Sequence, residues 1–91
     1  MKIECDPEKR AATLLHRGLD MAEAAHVFTG KCLTFPDIRR DYEETRLITI
    51  GYFEGRMVVL VWTWRGKSVC RIISMRKANE REQAIYANQL G

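Results

Sequence analysis

The chain has 91 residues, of which 46% are hydrophobic and 30% charged, with a formal net charge of +3. This composition fits one small globular domain spanning residues 1–91, near the lower size at which a core supports itself, and excludes a disordered chain. The longest apolar run, residues 57–62, is too short to span a membrane and no apolar leader follows Met1, so a cytoplasmic protein is expected.

Charge is unevenly spread. Residues 1–45 hold seven Lys or Arg against nine acids, whereas residues 46–77 hold seven against one. An anionic ligand would require such a basic region, although basic sheets also serve solubility. Cys5, Cys32 and Cys70 are odd in number and widely spaced, so they read as reduced thiols. No metal or cofactor is expected from them.

Residues 1–5 alternate weakly and could form a first strand. Asp6-Pro7-Glu8 then reads as a helix start, with Asp as N-cap and Pro in the first turn. Ala11, Leu14 and Leu15 make the apolar stripe of this helix, which Gly18 ends. Asp20 with Glu23 fits a capping box for a second helix, whose buried face is Ala24, Val27 and Phe28 and whose stop is Gly30. Together they predict an αα-hairpin that must pack on something, because each helix is short.

Cys32 to Phe35 could be a strand, stopped by Pro36-Asp37, and residues 38–45 form a charged loop of the kind that often bears function. Residues 46–53, 56–65 and 68–75 then predict a three-stranded antiparallel meander with turns at Glu54-Gly55 and Gly66-Lys67. The middle strand is apolar on both faces, so both need cover. Simple alternation along the last strand puts Arg71, Ile73 and Met75 on one face, and Cys70, Ile72, Ser74 and Arg76 on the other. Asn79 with Glu82 marks a final capped helix running to about Leu90. It can cover part of the second face, and a partner protein could cover the rest. The fold class expected is α+β: an αα-hairpin near the N-terminus packed on an antiparallel sheet, with a C-terminal helix.

Several motifs stand in one order along the chain: Asp6-Pro7-Glu8-Lys9, Gly18, Ala24-Ala25-His26-Val27-Phe28, Glu44-Thr45-Arg46, Ile50-Gly51, Arg71 to Ala78, and Glu82 with Tyr86. In that order they resemble the BrnT toxins. The chain departs from the family's usual Asn-x-x-Lys-His-Gly close of the first helix, having Thr13-Leu14-Leu15-His16-Arg17-Gly18, and has Cys5 where an aromatic commonly precedes Asp-Pro. The resemblance implies a RelE-like fold and a ribonuclease toxin of a type II toxin–antitoxin system. It also implies a BrnA-type antitoxin, a ribbon-helix-helix DNA-binding protein through which the complex reaches operator DNA.

Cleaving RNA without a metal needs a base for the 2′-hydroxyl, an acid for the leaving 5′-oxygen, and cations to stabilise the phosphorane. Arginine suits the third task because it stays charged and binds phosphate oxygens in pairs. Arg46, Arg71, Arg76 and Lys77 are the candidate cations, on or at the ends of adjacent strands. Arg71 could instead hold a structural ion pair or meet the antitoxin. Glu44 could be the base or simply a salt-bridge partner of Arg46. His16 could act as acid or base, or stand as a helix C-terminal cation. Trp62 and Trp64 share a strand face for core packing or base stacking, Tyr86 packs or reaches phosphate, and His26 is a bystander. A toxin that inhibits translation by cutting RNA is the first reading of the whole. A non-catalytic module that binds nucleic acid and antitoxin in operon autoregulation is the alternative.

Overall fold

A computed structural model describes residues 2–91 of the chain. The elements are β1 (Lys2–Cys5), α1 (Pro7–Arg17), a 3-10 turn (Met21–Glu23), α2 (Ala25–Thr29), β2 (Cys32–Pro36), β3 (Leu47–Phe53), β4 (Arg56–Arg65), β5 (Val69–Lys77) and α3 (Glu80–Leu90). No helix among the described residues is long and apolar enough to cross a membrane.

The five strands form one sheet in the order β1-β5-β4-β3-β2. The meander of β3, β4 and β5 is antiparallel as expected, and β2 extends it antiparallel to β3. β1 departs from expectation: it pairs parallel to β5, so the sheet is mixed. A parallel neighbour needs a long crossover, and the whole of residues 6–68 supplies it. At the β3–β4 turn Glu54 and Gly55 both take positive φ (51° and 79°), the backbone that a two-residue hairpin demands.

The hairpin region also differs from its reading. Asp20 accepts from the Ala22 backbone and caps a single 3-10 turn, and α2 is only five residues long. Ala24 and Val27 are nevertheless fully buried, and Phe28 meets Trp62 edge to face at 5.3 Å. α1 has no buried residue at all, and Leu15 is 79% exposed. The cause is its placement. Lys9 Nζ donates to the Ile73 carbonyl (2.5 Å) and Arg17 to the Met75 carbonyl (2.9 Å), seating α1 along the margin of β5 beyond the end of short β1. The layer over the sheet is filled by Leu19, Met21, Ala24 and Val27 from the segment that follows.

Two cores result, one on each face of the sheet. The larger joins those four residues to Val58, Leu60, Trp62, Cys70, Ile72 and Met75. The smaller joins Ile50, Met57 and Val59 to Ala78 and Leu90 at the two ends of the α3 segment. α2 packs tightly on the sheet at Gly51: a Cβ there would lie 2.8 Å from Val27 Cγ1 and 3.1 Å from Cys32 Cβ. Trp62 belongs to the larger core, its indole donating to Thr49 Oγ1 at 2.8 Å, while Trp64 is 46% exposed at the end of the same face. Burial pushes the Cys70 thiol up to about 12, which makes it an inert core group.

One irregularity decides what faces what. Ile72 pairs with Trp62 and Ser74 with Val61, so Ile73 is an extra residue, a β-bulge. Beyond it the alternation inverts. Met75 joins Cys70 and Ile72 in the larger core, and Arg76 moves to the face of Arg71 and Ser74. Uninterrupted alternation would put the two arginines on opposite faces.

Candidate functional site

The bulge gives β5 two arginines on the face that α3 covers only in part. Arg76 pairs with Val59 and Arg71 with Thr63, four residues along β4, so their backbones are about 13 Å apart. Each therefore has its own surroundings.

Arg76 lines a cavity of about 200 Å³ between the sheet, α3 and the loop after β2. The other polar groups in its wall are Arg39, Ser74, Glu82 and Tyr86, and its floor includes Ile48, Val59 and Val61. Local sequence sets each of them. Asn79 caps α3 by accepting from the Glu82 backbone (2.8 Å), and Glu82 returns a bond to the Asn79 backbone (2.9 Å). That capping box fixes Glu82, which then accepts from both terminal nitrogens of Arg76 at 2.7 Å each. One turn further along α3, Tyr86 stacks on Phe35 with ring centres 6.1 Å apart. Ser74 enters the cavity because the bulge precedes it.

Arg39 is supplied by the charged loop. Pro36 ends β2, and Asp37 behind it accepts from the Arg39 backbone two residues on, an Asx-type turn. The same carboxylate takes Arg39 Nε at 2.8 Å and its terminal nitrogen at 2.7 Å. Both guanidiniums thus have one edge held by a carboxylate and further N–H donors to spare.

The electrostatics follow from these pairs. The paired hydrogen bonds from Arg76, with the Asn79 backbone helping against burial, hold the Glu82 carboxyl down at about 2. Arg76 is raised by the same bonds, opposed by burial and by the nearby charge of Arg39. Arg39 likewise holds Asp37 far below the usual carboxylate range. Carboxyls depressed in the fold contribute stability above their ordinary values, and that stability goes as pH falls through the folded values. Unfolding free energy should therefore drop on acidification from about pH 4.5 toward about pH 2. Glu82→Gln should remove on the order of 2 kcal/mol of this dependence after screening at the partly exposed guanidinium. Denaturant titrations of both proteins across that range would check it, and parallel pH profiles would refute it.

The other expected site residues lie elsewhere. Arg71 hydrogen-bonds Glu4 of β1, a structural ion pair between neighbouring strands, and does not line the cavity. Arg46 lies 4.1 Å over the Tyr42 ring with Glu44 3.4 Å from its Nε, but that nitrogen is buried without a hydrogen bond among the described residues. Glu44 and Arg46 line a wide pocket within the loop itself. Lys77 faces the opposite side of the sheet, paired with Val58, at the exposed end of β5. His16 stands exposed in the last turn of α1. His26 is exposed beside Glu23, at 2.9 Å. Among the described residues no three His, Cys, Asp or Glu side chains cluster as a metal site would require.

Sequence reasoning thus reaches Arg76 and Tyr86 but misses Arg39, Asp37, Ser74 and the second role of Glu82. For Arg39 a signal is present: Asp-x-Arg directly after a strand-ending proline predicts an Asx turn that returns the arginine onto its own aspartate.

The comparisons agree with one another. The family model for the ribonuclease toxin BrnT of type II toxin–antitoxin systems matches residues 5–82. The crystal structure of the Brucella abortus ribonuclease toxin BrnT is similar to this chain, with a TM-score of 0.69 and 29% identity. That likeness covers 88% of this chain and 99% of the other. No curated protein matches this chain.

Proposed function

We propose, for a chain that belongs to the BrnT family of ribonuclease toxins of type II toxin–antitoxin systems, that it is an endoribonuclease which cleaves RNA without a metal at the Arg39–Arg76 cavity. The observation that carries this is two guanidiniums in one small cavity, each oriented by its own carboxylate. A phosphodiester placed against their spare N–H groups gains charge-assisted hydrogen bonds that strengthen as negative charge builds on the phosphorane.

Cleavage then proceeds by attack of the 2′-oxygen on phosphorus, with loss of the 5′-oxygen and formation of a cyclic 2′,3′-phosphate. Glu82 is a poor base for that attack, since a carboxyl held at about 2 has little affinity for the proton. Its part is to orient Arg76. The 2′-hydroxyl gives its proton to solvent water and the 5′-oxygen leaves as an alcohol on taking one from water, so protons balance. The hydroxyls of Tyr86 and Ser74 in the cavity wall hydrogen-bond these oxygens. Neither Glu44 nor His16 lines this cavity, so the geometry lends no support to their roles as base or acid. Arg71, farther along β5 from Arg76, and Arg46, just before β3, would meet more distant phosphates of a longer RNA.

Membership of a type II system implies an antitoxin partner and an RNA target. We take the partner to be a BrnA-type antitoxin of ribbon-helix-helix class, through which the complex reaches operator DNA. The proposal is tested by incubating the purified chain with RNA in EDTA. Fragments ending in cyclic phosphate are expected. RNA that stays intact in EDTA but is cut once magnesium is added would overturn the metal-free route. RNA that is bound yet never cut would favour a binding module.

A further inference from the structure

We infer that Asp37 is the positioning residue of the cavity, a buried carboxylate that aims Arg39 at the substrate and ties Arg46 to the same frame. Its side chain is 0% exposed, although it belongs to a loop without regular secondary structure. Four donors converge on it: Arg39 Nε at 2.8 Å, an Arg39 terminal nitrogen at 2.7 Å, the Arg39 backbone at 3.2 Å and the Tyr42 hydroxyl at 3.0 Å. An ionised carboxylate offers about four lone-pair sites, so these donors fill it.

The arrangement has reach in two directions. Through Arg39 it touches the cavity, for Arg39 is otherwise a 63% exposed side chain, and its guanidinium is held on Asp37 by two hydrogen bonds. Through Tyr42 it reaches Arg46, which lies over that ring at 4.1 Å. The Asp37 backbone closes the circuit by donating to the Arg46 carbonyl at 2.9 Å. One residue therefore joins the loop's two ends through its backbone, and its carboxylate holds Arg39 directly and Arg46 by way of Tyr42. A free arginine would sample many rotamers, whereas stabilisation of a transition state needs its donors already in place. Asp37 acts through Arg39 and need not touch RNA.

This inference rests on the cavity being the site of RNA cleavage, and the experiment separates the two. Steady-state rates on RNA would be measured for Asp37→Asn, Arg39→Ala and the double variant, with Arg76→Ala alongside and circular dichroism on each. Asp37→Asn is expected to lower kcat about 10- to 100-fold with KM changed less than about 3-fold. In the Arg39→Ala background it should cost less than about 3-fold more, because the group it positions is gone. Additive losses would overturn the inference and make Asp37 a structural staple of the loop. Asp37→Asn with unaltered kcat would overturn it as well. Full activity of folded Arg76→Ala would instead overturn the cavity as the site. Should Asp37→Asn fail to fold, Tyr42→Phe removes one of the four donors and keeps the ring under Arg46. A fall in kcat of about 3-fold or more supports the inference, and no change opposes it.

Discussion

Arg76→Ala is expected to lower RNA cleavage about 10²- to 10³-fold, the usual loss when one donor to a developing oxyanion is removed. Cells induced for the variant should grow where the parent chain arrests them. The effect is large because Arg76 combines three features: a charge that does not titrate away, an edge locked by Glu82, and a place on the open face of the sheet secured by the bulge at Ile73. Arg76→Lys keeps the charge but loses the fork, and should recover only a minor part of the activity. Lys77→Ala is the matched control, since Lys77 is next in sequence but on the other face. Initial rates on RNA, with thermal melting to verify folding, give the answer. A folded Arg76→Ala chain that cuts at the parental rate would sink the assignment.

The largest expected effect on stability is Leu60→Ala. Leu60 is at the centre of β4, 0% exposed, opposite Thr49 on one neighbouring strand and Met75 on the other. Truncation removes transfer energy and leaves a cavity that a sheet held by flanking strands cannot collapse, for a cost of about 3 kcal/mol. At this chain length that corresponds to a fall in Tm of about 12–24 °C by calorimetry. A shift of less than about 4 °C would mean that α2 and the 3-10 turn settle into the space and that the larger core is softer than its packing implies.

The elements with strong local signals are legible in the chain itself. Asp6-Pro7 and Asn79–Glu82 are stated in the chain's own capping chemistry, and α1 and α3 begin where those residues say. The meander follows from alternation and from Glu54-Gly55. What alternation cannot carry is the bulge. A period of two has no memory of an inserted residue, so Arg76 and Met75 exchange faces, and with them the composition of the cavity. The parallel pairing of β1 is hidden for a related reason: nothing within four residues states which distant strand they will meet. α1 misleads through its leucines, whose helical spacing implies a buried stripe. Two of its cations, Lys9 and Arg17, decide its docking instead. Arg39 is obscured by its surroundings, since a run of charges in a loop looks solvated until one carboxylate proves buried.

The seating of α1 along β5 has a consequence for crowded solutions. A sheet has two margins, and each can recruit another strand. On one side this sheet presents only the four residues of β1, stopped by Pro7, after which Lys9 and Arg17 occupy the carbonyls of β5. On the other side lies β2. The two margins are alike in being short, β1 with four residues and β2 with five, and each runs into a proline, Pro7 after β1 and Pro36 at the end of β2. A second chain therefore finds few backbone groups to pair with on either side, which works against strand-by-strand association between copies.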